Sequence, residues 1–368
     1  MKFEIKNNIL LDALKNLNRV VPQRSTLPIL SSVLFQSDGQ RLNLRSTDLE
    51  VSLEFSLTAT VSEPFSIAIP VSKILSICSS LKNESLSFIL KGNNIEIRTD
   101  FGEYKIMGQN SEEFPAETRL DKSDKVSFSS NKIKELIDYT ISSTSNDDLK
   151  PSLQGVLFDI NESKTTLVST DGHKLSKIEY EQSNSLMKKI IIPTKFLKLL
   201  HSFLYDNKNT DIIVSENHAQ AYFDNVKIST RLINDQYPDY EKVIPKDNEN
   251  EIIVNTQEII SSLKRVSVFS NKKTKQAVLN IKENSIVIKA EDAETAASAK
   301  ETISCFKKGP DQEIVIAFNG DYLKEVLEKT KAEETLISIK DSLSATLILP
   351  NENTPKNKLS LLMPIRLN

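Results

Sequence analysis

Apolar residues recur with helical spacing in six parts of the chain, and much of the remaining sequence alternates between apolar and polar residues. In the first helical segment, Leu10, Ala13, Leu14 and Leu17 fall on one face of a helix with 3.6 residues per turn. Alternation with a period of two, as in residues 51–57, predicts half-buried strands. The pattern therefore predicts an α+β fold with helices packed on antiparallel sheets. The predicted helices cover residues 8–20, 71–82, 131–143, 194–205, 256–268 and 319–331, with N-caps at Asn8, Asn131, Thr194, Thr256 and Asn319.

The order of predicted elements repeats three times along the chain. A strand that leads into a helix begins at Phe3, Val126 and Ile252, which are 123 and 126 positions apart. A second strand followed by a helix recurs with the same two spacings. Such a repeat indicates tandem copies of one structural unit. We therefore predict three domains of about 120 residues each, with limits at 1–121, 122–247 and 248–368.

Positive charge is concentrated on the predicted helices. The chain has 47 basic and 50 acidic residues and a formal net charge of −3. The predicted helices contain 13 basic and 7 acidic residues, so they carry +6 and the rest of the chain carries −9. If the helices line one surface, that surface attracts a polyanion. Because 38 of the basic residues are lysines, phosphate contact is favoured over base readout. Lysines that serve only solubility are the alternative.

Most enzyme classes find no support in the sequence. The eight glycines form neither a GxGxxG motif nor a P-loop, and the three histidines lack metal-ligand spacing. Asp48, Asp171 and Asp239 lie in predicted loops, and their spacing assembles neither a metal triad nor a nucleophile–base pair. Cys78 and Cys305 are too far apart for a CxxC unit. We therefore expect no catalytic site, no metal and no cofactor.

The chain also lacks signals for membranes or export. No stretch approaches the ~18 consecutive apolar residues that a membrane helix requires. Residues 1–6 alternate in polarity and lack the apolar core of a secretory signal. We expect a cytoplasmic protein.

Five motifs occur in order along the sequence. They are RSTLPIL at 24–30, TDLE at 47–50, STDGHKL at 169–175, YPDYEKVIP at 237–245 and MPIRL at 363–367. With these motifs, the chain resembles the bacterial sliding clamp, the beta subunit of DNA polymerase III, over its whole length. The resemblance implies three clamp domains per chain and a head-to-tail homodimer that closes into a ring of six domains. Helices would line the hole, duplex DNA would thread through it without sequence readout, and the cytoplasmic protein would be associated with the nucleoid.

The same resemblance implies a non-catalytic processivity factor that tethers other proteins to DNA. Its partners would be the replicative polymerase, the clamp loader and other proteins with a clamp-binding motif. A repeat-built adaptor that binds proteins but does not encircle DNA is the alternative function. The DNA-binding positions implied by the family are Arg24, Lys73, Asn146, Lys150, Lys195 and Lys198. Solvated lysines at helix starts and an exposed loop arginine are the alternative interpretation.

The family also implies a partner-peptide cleft made by the middle and last domains. An apolar groove with a few polar anchors suits a hydrophobic peptide. An ordinary last strand and an ordinary turn histidine are the alternative interpretation. The matching positions are Leu153, Thr170, Gly172, His173, Lys174, Leu175, Pro238, Lys242, Val243, Leu361, Leu362, Met363, Pro364, Ile365, Arg366 and Leu367.

The dimer interface implied by the resemblance joins the first domain of one chain to the third domain of the other. An exposed phenylalanine in this third domain would anchor an apolar contact, although it also fits the end of a core helix. The chain departs from the family in three places. The loop before the cleft often carries aromatic residues, but here residues 150–153 read Lys-Pro-Ser-Leu. Lys242 stands where arginine is common, and an extra Asn368 follows Leu367. The predicted interface positions are Lys73, Ile77, Tyr104, Ile106, Val268 and Phe269.

Overall fold

The computed structural model describes residues 1–118, 120–205, 208–351 and 357–367. These residues form two compact units. The first unit contains Met1–Asn131 and Lys195–Leu232, and the second contains Lys132–Thr194 and Ile233–Asn368. Asn368, the last residue of the third predicted domain, lies outside the described part of the chain.

All six predicted helices are present in the described residues. Each starts within one residue of its predicted start and ends one to three residues early, because the chain turns toward the next strand. The last positions predicted for the third and fifth helices form the 3-10 turns Ile141–Ser143 and Ser267–Phe269. The helices are α1 (Asn7–Leu17), α2 (Val71–Ser80), α3 (Ser130–Thr140), α4 (Thr194–Ser202), α5 (Thr256–Val266) and α6 (Gly320–Thr330).

The predicted N-caps are mostly wrong. Only Asn319 caps as predicted, with its Oδ1 accepting hydrogen bonds from the N–H groups of Asp321 (3.0 Å) and Tyr322 (3.2 Å). For α5 the cap is Asn255, which accepts from the N–H of Glu258 at 3.0 Å. The other predicted caps lie inside their helices, because the preceding strand runs directly into the helix.

The strands follow the threefold sequence repeat. The first copy contains β1 (Lys2–Lys6), β2 (Ser32–Ser37), β3 (Leu42–Thr47), β4 (Val51–Leu57), β5 (Thr60–Val61), β6 (Phe65–Pro70), β7 (Ser85–Lys91), β8 (Asn94–Arg98) and β9 (Glu103–Met107). The middle copy contains β10 (Asp124–Ser129), β11 (Gly155–Ile160), β12 (Lys164–Thr170), β13 (Lys174–Glu181), β14 (Lys188–Pro193), β15 (Asn209–Val214), β16 (His218–Phe223) and β17 (Val226–Arg231). The last copy contains β18 (Asn250–Asn255), β19 (Gln276–Ile281), β20 (Ser285–Asp292), β21 (Ala297–Ser304), β22 (Phe306–Lys308), β23 (Ile314–Asn319), β24 (Glu334–Ile339), β25 (Thr346–Pro350) and β26 (Lys358–Leu362).

Every copy builds the same two antiparallel half-sheets. In the first copy the type A half-sheet has the order β6-β2-β3-β4, and the type B half-sheet has the order β1-β7-β8-β9. In the middle copy they are β14-β11-β12-β13 and β10-β15-β16-β17. In the last copy they are β23-β19-β20-β21 and β18-β24-β25-β26. The predicted fold class, three tandem copies of helices on antiparallel sheets, is therefore confirmed.

Half-sheets of neighbouring copies join into continuous sheets. In the first unit, β4 of the first copy pairs with β17 of the middle copy and completes an eight-stranded sheet. In the second unit, β13 of the middle copy pairs with β26 of the last copy in a nine-stranded sheet. The unit division runs through the middle copy because each sheet continues from one copy into the next. The predicted domain limits at 121/122 and 247/248 stay a prediction.

Two smaller sheets end in strands that have no partner on their outer side. The five-stranded sheet of the first unit has the order β5-β1-β7-β8-β9, and the four-stranded sheet of the second unit has the order β21-β20-β19-β23. Among the described residues, β9 and β21 are therefore edge strands. An edge strand presents a row of unused backbone N–H and C=O groups that can pair with another chain.

Each unit has its own apolar core. In the first, α1 packs on β1, β3 and β4, and Phe3 stacks on Phe88 with ring centroids 4.4 Å apart. In the second, α5 and α6 pack on each other and bury Leu263, Phe318 and Leu327 completely. Burying one such side chain contributes roughly 1.5–3 kcal/mol. No helix in the described part of the chain has the length and apolar character needed to cross a bilayer.

Candidate functional site

A second cluster of buried apolar side chains lies where the middle and last copies meet in the second unit. It spans β11–β14 of the middle copy and β24–β26 of the last copy. Residues 233–244 pack against it through Tyr237, Tyr240 and two isoleucines, which are partly buried. We call this surface the apolar junction face. Its buried members are Leu157, Val168, Leu175, Ile191, Leu336, Leu347, Leu349 and Leu361.

The carboxyl-terminal segment lies against the turn between β12 and β13. The N–H of Met363 donates to the carbonyl of His173 at 2.8 Å, and the N–H of Ile365 donates to the carbonyl of Ala317 at 2.7 Å. The first of these bonds, together with the pairing of Leu361 opposite Leu175, brings the predicted cleft residues 361–363 to the predicted residues 173–175. Of the predicted positions, Gly172, His173, Pro238, Lys242, Val243, Met363, Arg366 and Leu367 are exposed, and Leu153, Leu175 and Leu361 are buried beneath them.

The turn itself follows from its sequence. Asp171 Oδ1 accepts hydrogen bonds from the N–H groups of His173 (2.8 Å) and Lys174 (2.9 Å). Thr170 Oγ1 donates to the carbonyl of Lys174 at 2.8 Å. Gly172 has a φ of +92°, a left-handed conformation that favours glycine. The Thr-Asp-Gly-His-Lys sequence therefore fixes the carbonyl of His173 where the carboxyl-terminal segment binds it.

Lys174 and Leu362 do not take the places expected of cleft residues. Lys174 is only 5% exposed, and its Nζ lies 2.6 Å from Glu325 Oε2 and 4.7 Å from the centre of the Tyr322 ring. Leu362 belongs to the core cluster under α5 and α6. Because side chains alternate across a strand, these two residues point away from the apolar junction face. They support the site without lining it.

Side chains outside the predicted set hold the segment 233–244 in place. Lys177 Nζ lies 2.8 Å from Glu241 Oε1 and 5.8 Å from the centre of the Tyr240 ring. Burial opposes the charge of Lys177, yet hydrogen bonds to Glu241 and Glu179 hold its pKa above the ordinary value. Burial raises the pKa of Tyr237. No spacing in the sequence pairs Lys177 with Glu241, because one lies on β13 and the other on a segment 64 positions later in the chain.

A buried lysine lies near the junction in the second unit. Lys329 Nζ donates to Ser143 Oγ at 3.0 Å and lies 3.7 Å from Glu325 Oε1. Its side chain is 8% exposed, so counting it among surface cations of the helices is wrong. Burial lowers the pKa of Lys329 to about 8.

Stability should therefore rise with pH relative to a Lys329→Met variant. The unfolded chain binds the lysine proton more tightly than the folded chain does, so the free energy of unfolding increases between the folded and unfolded pKa values. From pH 7.5 to 9.5 we expect the wild type to gain about 2 kcal/mol over Lys329→Met, because one pKa unit corresponds to about 1.4 kcal/mol. Denaturant unfolding at both values measures it. The exposed Lys331→Met is the control, and an unchanged difference would contradict the expectation.

The predicted DNA-binding residues are distributed over both units. Arg24, Lys73 and Lys198 are exposed in the first unit, and none of the three forms an ion pair with another described residue. Lys195 is not a free cation at its helix start, because its Nζ pairs with Asp48 and donates to the carbonyl of Val20 at 3.3 Å. Asn146 and Lys150 are exposed in the second unit, in the loop before Leu153.

The predicted interface positions differ in exposure. Val268 is 78% exposed and Phe269 is 42% exposed, so the phenylalanine is not part of the core. Lys73 is exposed, and Ile77 and Tyr104 are half-buried. Ile106 is 5% exposed and packs inside its own unit. It can support a contact from within but has little surface to offer.

Known proteins match the chain over its full length. Models of the N-terminal, central and C-terminal domains of the DNA polymerase III beta subunit match residues 1–118, 127–239 and 241–366 in that order. The beta sliding clamps of Pseudomonas aeruginosa and Pseudomonas putida are 28% and 29% identical to it, with complete coverage of both chains. A crystal structure of the DNA polymerase III subunit beta from Pseudomonas aeruginosa has a TM-score of 0.91 at 26% identity and full mutual coverage.

The chain belongs to the beta sliding clamp family. It is therefore a non-catalytic processivity subunit of DNA polymerase III rather than an enzyme. Within the described residues, no group of three or more His, Cys, Asp or Glu side chains is placed to hold a metal ion.

In this beta sliding clamp, the positive charge on the helices that no carboxylate neutralises is divided unevenly between the two units. In α3, α5 and α6 most cations have a carboxylate partner, as in Lys132–Glu135 at 2.9 Å and Arg265–Glu301 at 2.6 Å. Of the lysines in α1, α2 and α4, by contrast, Lys195 alone has such a partner among the described residues. The unneutralised positive charge of the helices therefore lies mainly in the first unit.

Proposed function

We propose that the chain closes head to tail with a second copy into a ring around duplex DNA. Proteins that carry a clamp-binding peptide would dock on the apolar junction face and so remain on DNA. This role places the protein in the cytoplasm, at the nucleoid. The proposal rests on one observation. At two places in the chain a type A half-sheet pairs with a type B half-sheet of the next copy, through β4 with β17 and through β13 with β26. At the third place the corresponding strands, β21 and β9, have no such partner among the described residues.

The two closed junctions share one register. Ile228 lies opposite Leu53 in the first junction, and Ser360 lies opposite Ser176 in the second. Leu53 and Ser176 are each the third residue of β4 and β13, and Ile228 and Ser360 are each the third residue of β17 and β26.

The hydrogen bonds at the two ends of each junction also correspond. The N–H of Arg231 donates to the carbonyl of Glu50 at 2.9 Å, as Met363 donates to His173 at 2.8 Å. At the other end, the N–H of Ser56 donates to the carbonyl of Asn225 at 2.9 Å, as the N–H of Glu179 donates to the carbonyl of Asn357 at 2.8 Å. Because the repeat preserves both strands and register, the same arrangement is expected wherever a type A half-sheet meets a type B half-sheet.

The third junction would join β9 of one protomer to β21 of the other. Tyr104 takes the place of Ile228, since each lies opposite the fourth residue of the preceding strand. Ala299 takes the place of Leu53 as the third residue of its strand. Tyr104 would then lie opposite the partner's Ala299, and Glu103 opposite the partner's Lys300. Opposite charges facing each other across strands favour this pairing.

The exposed residues beside these strands fit the same junction. Val268 and Phe269 correspond to Ser142 and Ser143, 126 positions earlier. In the second unit Ser143 accepts a hydrogen bond from Lys329 of α6. The equivalent helix of the first copy is α2, so Val268 and Phe269 would contact Lys73 and Ile77 of the partner. A heterologous contact that closes on itself gives a ring and not a filament.

Retention on circular DNA tests the proposal. After loading by the clamp loader, the protein should stay on a closed circular duplex and slide off once the circle is cut at one site, because topology rather than affinity holds it. Gel filtration of both DNA forms at moderate salt measures the retained fraction. Equal loss from circular and linear DNA would overturn the ring and favour the adaptor.

The free cations of the first unit should set the salt dependence of DNA binding. Replacing Arg24 and Lys198 together by alanine should reduce the slope of log affinity against log salt by about 1–2, because each phosphate contact contributes about 0.9. Titration of a labelled duplex at several salt concentrations measures the slope. The control replaces Arg41, which is exposed just before β3, and Lys91, which is exposed at the end of β7 in the same unit. An unchanged slope in the test variant, or an equal change in the control, would contradict the assignment.

A further inference from the structure

The first unit contains a surface that is structurally equivalent to the apolar junction face. It lies across the β4–β17 junction, and a segment that includes Phe114 covers its edge as Tyr237 does in the second unit. Strand pairing fixes the correspondence residue by residue: Leu34 lies opposite Arg45, as Leu157 lies opposite Val168. The residues equivalent to the eight buried members of the apolar junction face are, in the same order, Leu34, Arg45, Ser52, Ala68, Asp211, Gln220, Tyr222 and Ser229.

The equivalent surface is polar where the apolar junction face is made of leucine and valine. Ser52 and Ser229 lie opposite each other in the position of Leu175 and Leu361. Gln220 pairs with Ser229 in the position of Leu347. The first unit therefore repeats the backbone arrangement of the second unit but lacks most of the apolar side chains that make up the apolar junction face.

A row of charged residues crosses the first junction. Arg45, Glu54 and Lys227 lie opposite one another on β3, β4 and β17, and all three are half-buried. Arg45 donates to the carbonyl of Pro115 at 2.7 Å and lies 5.2 Å from the centre of the Phe114 ring. At the corresponding positions the second unit has Val168, Lys177 and Leu359.

Arg45 and Glu54 face a cavity of about 470 Å³ that is also lined by Leu34, Glu112, Glu117 and polar side chains. Burial raises the pKa of Glu54, and Glu117 raises it further. A carboxylate that is already poorly solvated would lose its remaining water under an apolar peptide, and such a peptide has no charge to replace it. Arg45 and Lys227 lie opposite Glu54 but do not remove this cost, because the desolvation of a buried ion pair can exceed the attraction between its partners.

We propose that the charged row Arg45–Glu54–Lys227, together with Ser52 and Ser229, restricts each chain to a single partner-peptide site. The inference rests on the proposed role of the apolar junction face in the second unit. These five residues prevent apolar peptides from binding at the first junction, although its strands are arranged as in the second. A closed dimer therefore has two docking sites and not four.

The test grafts the apolar side chains of the second junction onto the first. The variant Arg45→Val, Ser52→Leu, Glu54→Lys, Lys227→Leu, Ser229→Leu copies Val168, Leu175, Lys177, Leu359 and Leu361. The probe is a synthetic peptide that contains the clamp-binding motif of the replicative polymerase. Calorimetric titration should give one peptide per chain for the wild type and two for the graft, because each buried leucine improves affinity by roughly tenfold or more. The control, Arg45→Lys, Ser52→Thr, Ser229→Thr, keeps the polarity and should bind one.

The unaltered second unit serves as an internal reference for folding. The graft is informative when its first binding event keeps the wild-type affinity, and circular dichroism confirms that the sheets are retained. Two peptides per wild-type chain, or one per grafted chain with the reference site intact, would overturn the inference. No binding to the wild type at all would instead refute the proposed role of the apolar junction face. The two failures are therefore distinguishable.

Discussion

Deleting residues 363–368 should weaken binding of the polymerase motif peptide by roughly a hundredfold or more and leave the dimer intact. The deletion removes the exposed Met363 and Leu367 and frees the carbonyl of His173, which the N–H of Met363 now satisfies. Loss of a central contact segment typically costs about 2–4 kcal/mol in binding. Leu361 and Leu362 stay buried in the sheet, so the fold should persist. Fluorescence anisotropy measures the dissociation constant, and sedimentation velocity measures the dimer.

A pair of single substitutions gives the matched control. Met363→Ala should reduce peptide affinity about tenfold, since truncating a partly exposed side chain in a contact costs about 1–2 kcal/mol. Met187→Ala alters an equally flexible and more exposed methionine of the same unit, 72% exposed compared with 39%, and should leave the affinity unchanged. Undiminished affinity after the deletion would place the peptide elsewhere.

Replacing Thr302 by proline should raise the dissociation constant of the dimer by about 30-fold or more. In β21 the backbone N–H and C=O groups of odd-numbered residues point toward β20. The N–H of Cys305, directly after β21, shows this, because it donates to the carbonyl of Asn284 at 3.2 Å. The N–H of Thr302 therefore points outward, where the repeat predicts a hydrogen bond to the carbonyl of the partner's Phe101. Proline removes this donor at both junctions of the ring, and each lost backbone hydrogen bond costs about 1 kcal/mol in addition to steric repulsion from the ring.

Thr302→Ala separates the backbone effect from the side chain. Alanine keeps the N–H, and Thr302 is exposed on an edge strand, so this variant should dimerise as the wild type does. Proline is tolerated where an edge strand faces away from its own sheet. Circular dichroism should therefore report an intact protomer for both variants. Equal dimerisation of the proline variant and the wild type would mean that β21 does not pair with another chain.

The sequence was most informative where local physics decides the structure. The helical spacing of residues such as Leu10, Leu14 and Leu17 located every helix, because an amphipathic helix must bury one stripe wherever it packs. The spacing of 123 and 126 positions identified the three copies. Helix ends and N-caps were predicted less well, since Asn255 and Asn319 differ from Asn131 only in how the preceding strand enters the helix.

The sequence alone could not predict which way the side chains of the candidate site point. Lys174 and Leu175 are neighbours in one motif, yet one pairs with Glu325 under a helix and the other lies in the apolar junction face. Their different roles follow from the alternation of β13 and from which strand lies beside it. Lys195 likewise looked like a free cation until the fold placed Asp48 against it.

The sequence alone determined that three similar α+β copies follow one another and that the predicted helices carry excess positive charge. It also showed that the motifs match those of a known clamp family. Only the tertiary structure decided which half-sheets join, which edges stay open and which of two equivalent junctions is apolar. The reason is that periodicity and composition act through neighbours in the chain. Strand order, register and burial depend on contacts between residues more than a hundred positions apart, such as Tyr139 with Ser360.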